Sequence, residues 1–248
     1  MRLINKKNLI LFFMVLFFRL LSCNFSYSEK MEMPELVAHA GGGINNIVYA
    51  NSREALDYNY SKGLRFFEID FDWTRDGELV LIHYWGKDTL ERLFNVEAKV
   101  YSLKEFKSFK MISDMTQMAL VDLIGWLEKH KDAYVVTDVK SDNIKALGMI
   151  SGKYPGFKKR FIPQIYKYEE YNAVKKMGFE NIIFTLYVMN YPDREVIDFL
   201  KTRKVSALTI WHYRVNKDFM AALKGLGVFV YAHTVNDPEA EKSLRIWA

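Results

Sequence analysis

Hydrophobic and polar positions along the chain fall into short runs of two alternating kinds. Extended, β-rich runs occur at Leu36–His39, Phe66–Asp72, Leu79–His83, Tyr134–Lys140, Phe161–Tyr166, Asn181–Leu186, Ala207–Trp211 and Val228–His233. Between them lie amphipathic stretches with apolar residues at helical spacing: Ser52–Ser61, Met118–His130, Glu169–Met177, Asp193–Thr202 and Lys217–Lys224. Strands that alternate with helices predict βαβ units on a parallel sheet. The turn Thr74-Arg75-Asp76-Gly77 leaves no room for a helix, so Leu79–His83 is expected to fold back as a hairpin arm. Apart from that arm, seven strand–helix units remain, one short of a (β/α)8 barrel.

The run from Phe66 to Asp72 alternates cleanly. A period of two puts Glu68, Asp70 and Asp72 on one face and Phe67, Ile69 and Phe71 on the other. In a barrel the aromatic face packs on the helices and the carboxylates face inward, near the strand ends that carry active sites. Carboxylates gathered there repel one another and need a cation or basic partners to stay ionised. In the run from Tyr134 to Lys140, Asp138 and Lys140 also share a face. An oxygen-rich set of Glu68, Asp70 and Asp138 suits a hard divalent cation, Mg²⁺ or Ca²⁺, better than zinc. Lys140 beside it would meet an anionic substrate. Two plainer readings stay open: a sheet with one wet face, and a simple Lys140–Asp138 ion pair.

His39 ends the first run, just before Gly41-Gly42-Gly43, and His83 ends the hairpin arm. Histidines at strand ends are often only hydrogen-bonded structural residues, but these two flank the acidic strand. Histidine titrates near neutrality and can both give and accept a proton. The triple glycine lets backbone amides approach an oxyanion. His130, among Lys129 and Lys131 at the end of a helix, is expected in solvent. His212 and His233 end the last two strands, at the mouth of a barrel. There is no His-x-His pair, no Gly-x-Ser-x-Gly elbow, no P-loop and no dinucleotide fingerprint.

Charge changes the picture only at the N-terminus. The 248 residues carry a net charge of +5, which invites a nucleic-acid reading. Arg2, Lys6, Lys7 and Arg19 lie in the first 23 residues, which hold no acid; without them 31 basic residues face 30 acidic ones. The basic balance belongs mostly to the leader, the evidence for a polyanion partner largely disappears, and no nucleic-acid partner is expected. The leader has a basic start and an apolar run from Leu9 to Phe18, about half of what spans a bilayer. Residues 1–23 are therefore expected to be an export signal. Leu20-Leu21-Ser22-Cys23 is similar to a bacterial lipobox, whose cysteine would be lipidated and tether the protein to a membrane. Residues 24–34 form a polar tether, and 35–248 a single domain. With one cysteine in the chain, no internal disulfide is available.

The ordered set of motifs resembles the glycerophosphodiester phosphodiesterase family, a TIM-barrel group related to phospholipase C-like enzymes. The matching residues are Val37-Ala38-His39-Ala40-Gly41, Asn51-Ser52-Arg53-Glu54-Ala55-Leu56, the block from Glu68 to Gly77, Leu79 to His83, Asp138-Val139-Lys140, and Thr234-Val235-Asn236-Asp237. The resemblance implies that Glu68, Asp70 and Asp138 bind a divalent metal and that His39 and His83 are the acid/base pair. It also implies that Lys140 sits beside the phosphate, with His233 at a substrate-lining position. The implied function is metal-dependent hydrolysis of a glycerophosphodiester to an alcohol and glycerol phosphate.

The chain also departs from the family pattern. Ala40 stands where the family has Arg, Tyr49-Ala50 where it has Pro-Glu, Tyr84 where it has Asp, and His233 where it has an aromatic residue. Asp138 replaces the usual Glu, as in the sphingomyelinase D relatives. The chain stops at Ala248, inside the helix that precedes the family's eighth strand, so a TIM (β/α)8-type barrel lacking that strand is expected. Two other functions follow from these departures: a lipid-directed phosphodiesterase, and a surface lipoprotein that binds a phosphodiester without cleaving it.

Overall fold

The structure is a computed structural model and describes residues 31–233. Seven strands form one sheet in the order β2-β1-β3-β4-β5-β6-β7. They are β1 (Phe66–Trp73), β2 (Leu79–Leu81), β3 (Tyr134–Val139), β4 (Phe161–Ile165), β5 (Ile183–Thr185), β6 (Ala207–Trp211) and β7 (Phe229–His233). From β1 through β3 to β7 every pairing is parallel, and β2 alone is antiparallel, on β1. The expected hairpin arm is therefore present. Strand-to-strand crossovers run through α4 (Leu120–Lys129), α5 (Asn143–Lys153), α6 (Glu170–Lys176), α7 (Asp193–Thr202) and α8 (Lys217–Gly225), following α1 (Arg53–Ser61), α2 (Lys87–Phe94) and α3 (Leu103–Ser108).

The first β-rich run is shorter than expected. Only Ala38 bridges β1, donating to Phe66 O at 2.9 Å and accepting from Glu68 N at 2.9 Å. His39–Gly41 then forms a short turn in which Ala40 and Gly41 take positive φ, outside both strand and right-handed helix geometry, so the extended run ends there. One edge of β1 is thus divided between Ala38 and β2. At the other end of the sheet, Tyr231 Oη on β7 donates to Pro34 O at 2.7 Å, which brings the last described strand back to the first segment. This is a (β/α) barrel with no eighth strand among the described residues. The export signal with Cys23, the Thr234–Asp237 match and the C-terminal helix all lie outside the described residues.

Strand parity separates the chemistry from the core. Phe67, Ile69 and Phe71 are fully buried among helix residues, and Phe67 meets Trp126 of α4 edge-on at 5.5 Å. Each such side chain contributes about 1.5–3 kcal/mol of burial. The opposite face brings Glu68, Asp70 and Asp138 inward, with Asp70 directly beside Asp138 in the β1–β3 register. A second apolar cluster gathers Val80, Ile82, Trp85, Leu90, Phe94 and Phe106 with Met111 and Met115. It packs the 82–119 segment, including α2 and α3, beside β2. His130 is not in solvent: its ring stacks on Trp126 at 4.0 Å, and its Nδ1 lies 2.7 Å from Trp126 O. The helix spacing brings His130 onto Trp126 at i+4, and the indole covers it.

Candidate active site

The site is built from the residues of β1 outward. Glu68, Asp70 and Asp138 are all buried, and each offers an oxygen within 4.8 Å of the others. The three carboxylates differ in how they are held. Asp70 accepts from Asn51 Nδ2 at 2.8 Å through Oδ2, while its own backbone N–H donates to Asn51 Oδ1 at 3.1 Å. Glu68 Oε2 accepts from Ala40 N at 2.8 Å and lies 3.8 Å from His39 Nε2. Asp138 accepts from Tyr166 through Oδ1, and from Tyr187 at 2.7 Å and Lys140 at 2.8 Å through Oδ2.

Lys140 Nζ also stands 2.6 Å from Asp70 Oδ1. That contact is an ion pair without hydrogen-bond geometry, because Oδ1 has no hydrogen-bond partner. Glu68 Oε1 is likewise buried with no hydrogen bond. Buried acceptors are ordinarily satisfied, so each such atom calls for an explanation. Glu68 Oε1, without a hydrogen bond, and Asp70 Oδ1, ion-paired to Lys140, join Asp138 in an all-oxygen donor set. That set fits a hard divalent cation, the fit expected for Glu68, Asp70 and Asp138.

The electrostatics follow from burial. Burial, then the charges of Asp70 and Asp138, push the Glu68 carboxyl well above the ordinary range. Burial opposes ionisation of Asp138 too, but Lys140, Tyr166 and Tyr187 outweigh it and hold the group below its ordinary value. Lys140 is raised: burial works against its charge, and Asp70, Asp138 and Glu68 more than offset that. Burial also raises both tyrosines that donate to Asp138. His39 and His83 are both lowered, chiefly by burial.

His39 and His83 come from different segments and meet over the same carboxylates. Ile82 N donates to Asp70 O at 3.1 Å, which sets His83 beside that residue. The ring of Tyr49 lies against both histidines, with centroids 4.8 Å from His39 and 5.5 Å from His83. The glycine loop is held by Asn59 of α1, whose Nδ2 donates to Gly41 O, Gly43 O and Ala55 O at 3.2, 3.2 and 2.8 Å.

The structure thus gathers His39, Glu68, Asp70, His83, Asp138 and Lys140 into one place. His233 pairs with Trp211 in the backbone of β7, and its side chain lies outside the described residues. Sequence reasoning did not single out Asn51, Tyr49, Tyr166 and Tyr187 as site residues. Parity offered a signal for one of them, since Tyr166 alternates with Ile162 and Gln164 at the end of β4. The others depend on loop paths that periodicity does not encode.

No family model matches the chain, and no curated protein matches it. Solved structures do. A glycerophosphodiester phosphodiesterase from Thermotoga maritima matches with a TM-score of 0.68 at 18% identity, covering 88% of this chain and 93% of that one. A phosphodiesterase from Oleispira antarctica, solved with the product sn-glycerol-3-phosphate, matches with a TM-score of 0.68 at 17% identity, over 87% and 90% of the two chains. A glycerophosphoryl diester phosphodiesterase from Parabacteroides distasonis matches with a TM-score of 0.65 at 18% identity, over 87% and 79%. The chain shares the fold of these proteins.

Proposed function

We propose that this protein is a metal-dependent phosphodiesterase that hydrolyses a glycerophosphodiester to an alcohol and glycerol phosphate. The observation that carries the proposal is the gathering of three buried carboxylates, Glu68, Asp70 and Asp138, with Glu68 Oε1 lacking a hydrogen bond and Asp70 Oδ1 ion-paired to Lys140, beneath two histidines. The likeness to a phosphodiesterase holding sn-glycerol-3-phosphate supports the substrate class.

Glu68, Asp70 and Asp138 would hold Mg²⁺ or Ca²⁺, which supplies charge neutralisation at a phosphoryl oxygen. Lys140 adds a fixed positive charge for the phosphate. One of His39 and His83 takes the proton of the attacking oxygen as it bonds to phosphorus; that oxygen belongs to water, or to a neighbouring substrate hydroxyl whose cyclic phosphate water then opens to glycerol phosphate. The other gives a proton to the leaving alkoxide as its bond to phosphorus breaks. Burial lowers the affinity of both rings for protons, which favours the neutral form that the base needs and works against the protonated form that the acid needs. Asn51 holds Asp70 in one orientation through two hydrogen bonds. With Ala40 in place of a phosphate-contacting Arg, Lys140 takes a larger share of phosphate binding.

The same reading has the protein exported by residues 1–23 and tethered through Cys23, supported by the pattern of the leader alone. Loss of membrane association in Cys23→Ser would bear it out, and unchanged fractionation would refute it.

The activity is tested by incubating the full chain with glycerophosphocholine, lysophospholipid and sphingomyelin, with Mg²⁺, Ca²⁺ or excess chelator. Glycerol phosphate released from the first substrate, and abolished by chelator, is the expected result. Cleavage of only the lipids would mark a lipid-directed enzyme. Binding without cleavage of any would mark a binding protein.

A further inference from the structure

The loop that carries the glycines back to α1 holds an unusual run of left-handed backbone. Ala40, Asn45, Asn46, Tyr49 and Asn51 have φ of 51°, 49°, 62°, 56° and 48°. Asparagine tolerates this conformation, whereas a tyrosine there is uncommon. Such strain persists only where the surroundings hold it, and it gathers at functional sites. Both flanks of Tyr49 are held. On one side Ile44 and Ile47 exchange backbone hydrogen bonds of 3.0 and 2.8 Å, and Arg92 Nη1 donates to Val48 O at 3.0 Å. On the other, Asn51 N donates to Ala40 O at 3.1 Å while its amide grips Asp70. Tied at both ends, the loop sets the Tyr49 ring against His39 at 82° and against His83 at 63°, both edge-to-face.

We infer that Tyr49 is a positioning residue that fixes the ring orientations of His39 and His83. The inference rests on the proposed roles of these histidines. Both stand on non-regular backbone, His39 in a short turn and His83 just past the end of β2. Each ring has a further neighbour, Glu68 Oε2 at 3.8 Å from His39 Nε2 and the Tyr84 ring edge-on to His83 at 5.0 Å, whereas Tyr49 touches both imidazoles. Edge-to-face contacts have directional preference, so one ring touching both imidazoles sets both at once. Catalysis is steeply sensitive to such placement. The family pattern set out above has Pro-Glu where this chain has Tyr49-Ala50, so the device belongs to this chain.

The test compares Tyr49→Phe with Tyr49→Asn in the full chain; asparagine accepts the left-handed backbone but brings no ring. Tyr49→Phe should keep kcat and KM within about twofold. Tyr49→Asn should lower kcat about 10- to 100-fold with little change in KM or melting temperature. NMR adds a readout free of activity: the His39 and His83 ring protons should carry ring-current shifts from Tyr49, on His83 added to that of Tyr84, and the Tyr49 part should survive in Tyr49→Phe and be lost in Tyr49→Asn. If Tyr49→Asn does not fold, Tyr49→Gly, which also accepts positive φ, is read instead. Unmoved histidine resonances in the ringless variants would overturn the inference. So would a Tyr49→Phe variant as slow as Tyr49→Asn, which would put the hydroxyl on the substrate. A wild-type chain that cleaves no phosphodiester would sink the proposed function, and the NMR arm would still decide the role of Tyr49.

Discussion

Lys140 Nζ lies 2.6 Å from Asp70 Oδ1 and 2.8 Å from Asp138 Oδ2, between two of the three carboxylates that would hold a cation. The lysine and a divalent ion therefore draw on the same oxygens. Lys140→Met should bind Mg²⁺ or Ca²⁺ more tightly than wild type by calorimetry, yet turn over phosphodiester at least about 100-fold more slowly. Without metal the variant should be less stable, by about 3–5 kcal/mol, because breaking a buried ion pair leaves carboxylates uncompensated. Unchanged metal affinity would show that the ammonium does not compete for these oxygens.

Asn51 grips Asp70 at both its carboxylate and its backbone N–H, and is itself buried. Asn51→Ala should lower divalent-metal affinity about 10- to 100-fold, as loss of an orienting partner of a ligand does. It should also destabilise the fold by about 1–3 kcal/mol, since Asp70 is left under-bonded in the interior. Parallel titration calorimetry and chemical denaturation check the two effects.

Gly42 has φ +88° and ψ 160°, a region open almost only to glycine. A Cβ built there would stand 2.3 Å from Asn59 Nδ2, the atom that ties the loop to α1. At Gly41 the nearest atom would be 3.5 Å away, ordinary contact, with only the backbone strain of φ +79°. Gly42→Ala should therefore cost more stability than Gly41→Ala, by about 1–3 kcal/mol. Equal melting temperatures for the two variants would contradict the Asn59 clamp.

Away from the site, the exposed Asp132 carboxylate accepts from Tyr60 and from Arg65 Nε at 2.6 Å, and these bonds hold it below its ordinary range. A carboxylate whose folded pKa is depressed stabilises the fold above its unfolded value, and that gain is lost as pH falls through the folded value. Asp132→Asn should lower the melting temperature slightly at pH 7, and the difference from wild type should close below about pH 4. A difference that grew on acidification would have the wrong sign.

Much of the fold was legible because β1 states its own orientation. Phe67, Ile69 and Phe71 alternate with Glu68, Asp70 and Asp72, and one face had to be core. The Asp76-Gly77 turn likewise announced the hairpin. The α2–α3 segment was not legible: Lys87–Phe94 and Leu103–Ser108 are short, and they bury residues in a separate small cluster beside the three-residue strand β2. Asn143–Lys153 is interrupted by two glycines, which hid its helical period. In the site, strand residues such as Asp70 and Asp138 could be read from parity. Tyr49 and Asn51 could not, because their places come from positive-φ backbone that hydrophobic patterning does not record.

The central claim is that these three carboxylates serve phosphodiester cleavage through a divalent ion. The most direct measurement is release of glycerol phosphate from glycerophosphocholine by wild type and by Glu68→Gln/Asp70→Asn, at saturating Mg²⁺ or Ca²⁺ and matched folding. The account predicts cleavage by wild type and none above background by the double variant. Full activity in the double variant would contradict it.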